Sequence, residues 1–143
     1  MVLFKSVISF TSYGNYLSYN VLHRMKSFVC RPWGTYRVLK ATPKMVVKIL
    51  HVYPGKAMSV QYHKYRNEHW KIIDGEATTL IGDHWWTFTR GHRVYIPKNT
   101  IHCVRASNGH TRIFEVWEGE KLDENDIIRV EHNYSSEWGY NYT

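Results

Sequence analysis

Turn dipeptides punctuate this chain at short intervals, and they constrain its fold more than any other feature. Pro54-Gly55, Asp74-Gly75, Gly82-Asp83, Asn108-Gly109 and Glu118-Gly119 divide it into runs rich in Val, Ile, Thr, Tyr and Trp. Runs of that length and composition read as strands, not helices. MVVKILHVY (45–53) is β-branched and apolar and stops at Pro54-Gly55. AMSVQYH (57–63) alternates, and EHWKII (68–73) is expected to end in a turn at Asp74-Gly75. EATTLI and HWWTF flank Gly82-Asp83 as a hairpin. HRVYI, TIHCVRA and TRIFEVW follow, and KLDENDIIRV is either a short helical turn or a closing strand. Seven or more strands with no convincing helix make an all-β sandwich or barrel.

Composition removes other classes. A chain of 143 residues is one domain able to bury a core, and its 43% hydrophobic and 22% charged residues are globular. No apolar run approaches the ~18 residues of a membrane span. Two cysteines, Cys30 and Cys103, make no disulfide framework, so a reducing, cytoplasmic setting is expected. The net charge of +7 suggests nucleic acid, but residues 1–50 hold eight Lys/Arg and no acid. The remainder is slightly acidic, so the excess is a basic arm and edge and no nucleic-acid partner is expected. Residues 1–28 read as a Tyr-rich arm or added strand without a signal-peptide pattern. The domain proper is expected over 29–134, with a tail over 135–143.

The chemistry concentrates in two segments. Gln61 and His63 lie two apart on an expected strand, so they share a face roughly 7 Å apart along it. Glu68 opens the next strand, where antiparallel pairing can return it to that face, and His102 sits on a later one. A carboxylate and two imidazoles inside a small barrel are a divalent-metal constellation, with the Gln61 amide oxygen as fourth ligand. Such a set accommodates Zn, Co, Mn, Ni or Fe. Cys103, adjacent to His102, should face the other way as a buried thiol, and His69 should point away from Glu68. Trp33, Trp70 and Trp86 are expected in the core, and Tyr65 on the surface.

These spacings resemble the two motifs of the cupin superfamily: Gly55, His63, Glu68 and Gly75, then Gly91, Pro97 and His102. More narrowly, the chain resembles the cupin domain of type II phosphomannose isomerases, often fused to a mannose-1-phosphate guanylyltransferase. The resemblance runs from Arg31-Pro32-Trp33-Gly34 through Lys48, Ser59-x-Gln61-x-His63 and Arg66-x-Glu68-His69-Trp70. It continues to Glu115-Val116, Gly119 and Asp126-Ile127-Ile128-Arg129. It departs at Tyr65, where the family usually has His, and at Ala106-Ser107-Asn108-Gly109 in place of Asn-Pro-Gly.

The resemblance implies a double-stranded β-helix, or jelly-roll barrel, that binds one divalent metal ion. It also implies interconversion of mannose 6-phosphate and fructose 6-phosphate through a cis-enediol. Motif matching nominates Ser59, Lys48 and Arg129 for the sugar phosphate, with Lys48 and Arg129 as catalytic candidates. Arg129 would serve either the phosphate or the enediolate. The plainer alternatives are a solvated Lys48 and an Arg129 ion pair with Asp123 or Asp126. No Gly-rich phosphate loop occurs, so nucleotidyl transfer is not expected. A non-catalytic sugar-binding or regulatory cupin, an epimerase and a dioxygenase are the competing functions, and a second copy of the chain is a candidate partner.

Overall fold

Residues 28–130 are described by the computed structural model, and every regular element among them is a strand. In chain order these are β1 (Val29–Arg31), β2 (Gly34–Thr42), β3 (Met45–Val52), β4 (Gln61–Tyr62) and β5 (Arg66–Ile81). Then come β6 (His84–Thr89), β7 (Arg93–Ile96), β8 (His102–Arg105), β9 (Thr111–Gly119) and β10 (Ile128–Arg129). The ladder runs β1-β2-β3-β9-β5-β8-β4-β10, with β6 and β7 also on β5. All neighbours are antiparallel, and the sheet curls on itself as the expected double-stranded β-helix. Except for Phe28, the arm expected over 1–28 lies outside the described residues, as does the tail expected over 135–143. Among the described residues no helix is long and apolar enough to cross a membrane.

One strand builds both halves of the barrel. The first part of β5 pairs with β7 and β9, while its last residues pair with β6 and β8. The changeover falls at a bulge between Ile72 and Asp74. Gly75 has φ of 72° there, and a Cβ on it would lie 2.0 Å from the His110 carbonyl oxygen. Asp74-Gly75 therefore follows a bulge inside a 16-residue strand, paired with Arg112 and Thr111, and is not the expected turn. Both uses need a residue at positive φ with little bulk, so the dipeptide alone does not separate them. Gly82-Asp83 is the expected two-residue hairpin, with Ile81 opposite His84.

The core lies between the curled faces, where Tyr36, Leu50, Val52, Trp70, Ile72, Ile96, Val104, Ile113 and Trp117 pack together. On β9, Thr111, Ile113, Glu115 and Trp117 face inward and alternate with outward Arg112, Phe114 and Val116. The strand expected over 57–63 shrinks to Gln61–Tyr62. Its earlier residues follow β8 only through separate contacts, the Ala57–Arg105 bridge and the bond from Met58 N–H to the Val104 carbonyl. KLDENDIIRV supplies both a turn and the closing strand β10. Trp70 is buried as expected, but Trp86 is 53% exposed on β6, which among the described residues pairs only with β5. Cys103 is buried, and burial raises its thiol pKa to about 11.

Candidate functional site

His63, Glu68 and His102 come from three places in the chain and meet in the barrel interior. Gln61 and His102 are direct register partners across β4 and β8, and Glu68 reaches the same point from the start of β5. The Nε2 of His63 lies 3.0 Å from Glu68 Oε1, and that of His102 lies 3.5 Å from Glu68 Oε2. All three side chains are no more than 3% exposed. Gln61 is 5% exposed and faces the same cavity as Glu68. Its Oε1 accepts the Ser59 hydroxyl at 2.8 Å, so Ser59 holds Gln61 as well as lining the cavity.

The outer nitrogens fix how the imidazoles present themselves. His102 Nδ1 donates to the Thr100 carbonyl at 2.8 Å, and His63 Nδ1 donates to the Asp126 carbonyl. Each Nε2 then turns toward the Glu68 carboxylate, and His102 Nε2 is buried with no hydrogen-bond partner. Nitrogen lone pairs facing carboxylate oxygens repel unless a proton or a cation lies between them. Imidazoles anchored through the other nitrogen, a carboxylate and an amide oxygen are a donor set for a divalent cation. The residues fit one. Burial alone would raise the Glu68 pKa, but the neighbouring His102 and His63 imidazoles hold it well below the usual carboxylate value.

A cavity of about 370 Å³ opens beside this cluster. Glu68, Gln61, Glu115, Lys48, Trp117 and Glu124 are among the residues that line it, together with Arg31, Trp33, Ser59, Arg66 and Arg129. Lys48 is buried, not solvated, and pairs with Glu124 at 2.5 Å. Its ammonium lies over the rings of Trp117 and Tyr36, at 3.5 and 4.4 Å. Burial lowers the Lys48 pKa against the opposing pull of Glu115 and Glu124. Arg129 is exposed on β10, opposite Gln61. The expected carboxylates are engaged elsewhere: Asp126 accepts the N–H groups of Lys64 and Tyr65, and Asp123 meets Asn125 N–H and Lys121. Trp33 is half-buried, packing against the core on one side and lining the cavity on the other.

Sequence reasoning missed three charged groups here. Arg66 is 2% exposed and stacks 3.6 Å over Trp117, giving Nε to Glu68 Oε1 at 3.0 Å and Nη1 to the Asp123 carbonyl at 2.8 Å. Glu115 is 3% exposed, and its Oε1 accepts the Trp70 indole N–H at 3.0 Å. That N–H also lies 3.2 Å from Glu68 Oε2, so one hydrogen serves two buried carboxylates. Burial, then the neighbouring Glu68, pushes the Glu115 pKa up to about 8. Glu124 reaches in from the loop before β10. Outside the cavity, His69 is exposed and bonded to Glu118, and Tyr65 is 42% exposed with Lys121 near its ring.

Comparison with known proteins bears on the family and the fold. Mannose-1-phosphate guanylyltransferase RfbM of Salmonella typhimurium is 35% identical over 114 residues, covering 77% of this chain and 24% of the relative. The alginate biosynthesis protein AlgA of Pseudomonas aeruginosa is 36% identical over 108 residues, 74% of this chain and 22% of that protein. The chain thus spans about a quarter of the length of these relatives. Among solved structures, KdgF from a Halomonas species superposes with a TM-score of 0.64 at 12% identity, covering 69% of this chain and 90% of that one. A variant oxalate decarboxylase of Bacillus subtilis gives 0.66 at 16% identity, covering 80% and 35%. Residues 15–132 match the family model described as mannose-6-phosphate isomerase C-terminal. With that match, the relatives and the barrel all in accord, the chain belongs to the mannose-6-phosphate isomerase C-terminal family of cupin domains.

Proposed function

We propose that this domain binds one divalent metal ion through His63, Glu68, His102 and Gln61 and isomerises mannose 6-phosphate and fructose 6-phosphate. The observation that carries the reading is the convergence of those donors beside a cavity that also carries cations and a carboxylate. A bound cation would supply Lewis-acid stabilisation of an enediolate. The chain's own residues do the rest. Arg129 and Arg31, at the exposed part of the wall, suit a phosphate. Buried Lys48, held by Glu124 and two aromatic rings, suits a sugar oxygen deeper in. Family membership supports the substrate class.

A non-catalytic sugar-binding module is the competing reading, and it drew on the departure at Tyr65. Tyr65 is exposed and stands outside the cavity wall, so the departure leaves the wall unchanged. The test is a coupled isomerase assay on the full chain reconstituted with each candidate metal. Turnover should vanish with a chelator and return with metal. Arg129→Ala should keep the metal and lose about 30- to 1000-fold in rate, the loss of one charge-assisted contact. Saturable sugar-phosphate binding without turnover in any metal form would establish the binding module instead.

A further inference from the structure

An aldose–ketose isomerase needs a group that takes a proton from one carbon and returns it to the next. We propose that Glu115 is that acid–base residue, an inference that rests on the isomerase reading above. Its placement carries the assignment. Glu115 stands opposite Lys48 on β3 and Trp70 on β5, in the middle of three strands whose inward side chains line the cavity. The Trp70 indole N–H touches both Glu115 and Glu68, which sets Glu115 beside the candidate metal ligands without making it one.

The other groups in the wall are committed or unsuited. Lys48 is paired with Glu124, and Arg66 with Glu68; Glu115 is in neither ion pair. Arg31 and Arg129 have no accessible neutral form. Glu68 belongs to the donor set. Glu115 is thus the buried carboxylate of the wall left to exchange a proton.

The step balances as follows. In the open-chain aldose, the Glu115 carboxylate takes the hydrogen from C2. The C2–H electrons form the C1–C2 double bond, and the carbonyl electrons move onto O1. Transfer of the O2 hydrogen to O1 and collapse of O2 to the ketone push the double-bond electrons to C1. There they take the proton back from the Glu115 carboxyl, which is restored.

The test compares wild type, Glu115→Gln and Glu115→Asp as the full metal-loaded chain with mannose 6-phosphate. Glu115→Gln keeps an acceptor for Trp70 and should retain metal stoichiometry and sugar-phosphate affinity. It should lose both turnover and deuterium exchange at C2 by ~10²- to 10⁴-fold, the usual range for a general base. Glu115→Asp should retain measurable exchange. A wild-type measurement guards against misfolded variants: a 1,2-epoxide analogue of the hexitol 6-phosphate should esterify Glu115, the carboxylate opening the ring as its oxygen is protonated. Esterification of Glu68 or Glu124 instead overturns the proposal. So does Glu115→Gln turnover within tenfold of an active wild type. A wild type with neither turnover nor exchange overturns the isomerase reading itself, and the two failures are thereby distinct.

Discussion

Around Lys48 and Glu115 the strands β3, β9 and β5 carry charge on the inward face and apolar residues on the outward one. Inward they carry Lys48, Glu115, Arg66 and Glu68 among the core aromatics, all buried. Outward, the same strands carry Ile49, Phe114 and Val116, which are half-buried, and a shallow depression bordered by His69, Arg93 and Tyr95. Folding alone favours the opposite arrangement, since taking a charge out of water costs several kcal/mol even after relaxation. The outward apolar residues need little explanation, because over half of a typical protein surface is apolar. The inward charges do need one. Each has its own partners: Arg66 on Glu68 and Trp117, Lys48 on Glu124, and Glu115 on Trp70. The asymmetry teaches that this barrel interior is organised around a buried polar cluster as well as around a core.

Three measurements break or sharpen that contrast. The largest effect is expected for His63→Ala, which should remove stoichiometric metal and all turnover together. Val116→Ala on the outward face should leave both intact. Metal retained at full stoichiometry in His63→Ala would dismantle the donor set.

Next comes stability. Trp70→Phe keeps most of the apolar bulk but deprives Glu68 and Glu115 of their shared N–H, a loss of ~1–3 kcal/mol in urea unfolding. Phe114→Leu on the opposite face should cost less than ~1.5 kcal/mol. Equal losses would show that the indole N–H contributes nothing beyond packing.

The smallest effect is a slope in pH. Glu115 has its pKa raised from 4.5 to about 8, so the folded state holds this proton more tightly than the unfolded chain. Its contribution is fully present below about 4.5 and is lost as the pH rises through about 8. Metal-stripped wild type should therefore lose melting temperature across that window, and Glu115→Gln should flatten the loss. Parallel profiles would mean that Glu115 titrates no differently in the two states.

Much of this was legible before any coordinates. Gln61, His63, Glu68 and His102 could be singled out because a two-residue strand repeat assigns faces without knowledge of partners. The same repeat sets Glu115 between Ile113 and Trp117 and Arg66 two residues before Glu68. A charge on an otherwise apolar face is thus the signal that the sequence offers for both. Glu124 had no such signal, because it reaches Lys48 from an irregular loop whose position depends on long-range docking. The shortened strand at 57–63 failed for a related reason. Its alternation is real, but a ladder needs a continuous neighbour, and β8 and β10 supply only short ones.

Asp126 ties these observations to the order in which the molecule must assemble. Its carbonyl anchors His63 from 63 positions away in sequence, and its carboxylate pins the N–H groups of Lys64 and Tyr65. Two residues later β10 pairs with β4 and so backs Gln61. The centre is therefore incomplete until the last described strand has docked, and contacts that close such long loops form slowly. A ligand that recognises only the finished centre stabilises it by mass action. On the proposed metal-binding reading, affinity for the ion gauges whether β10 is in place, and cleavage after Gly119 should weaken it while most of the described strands are still intact.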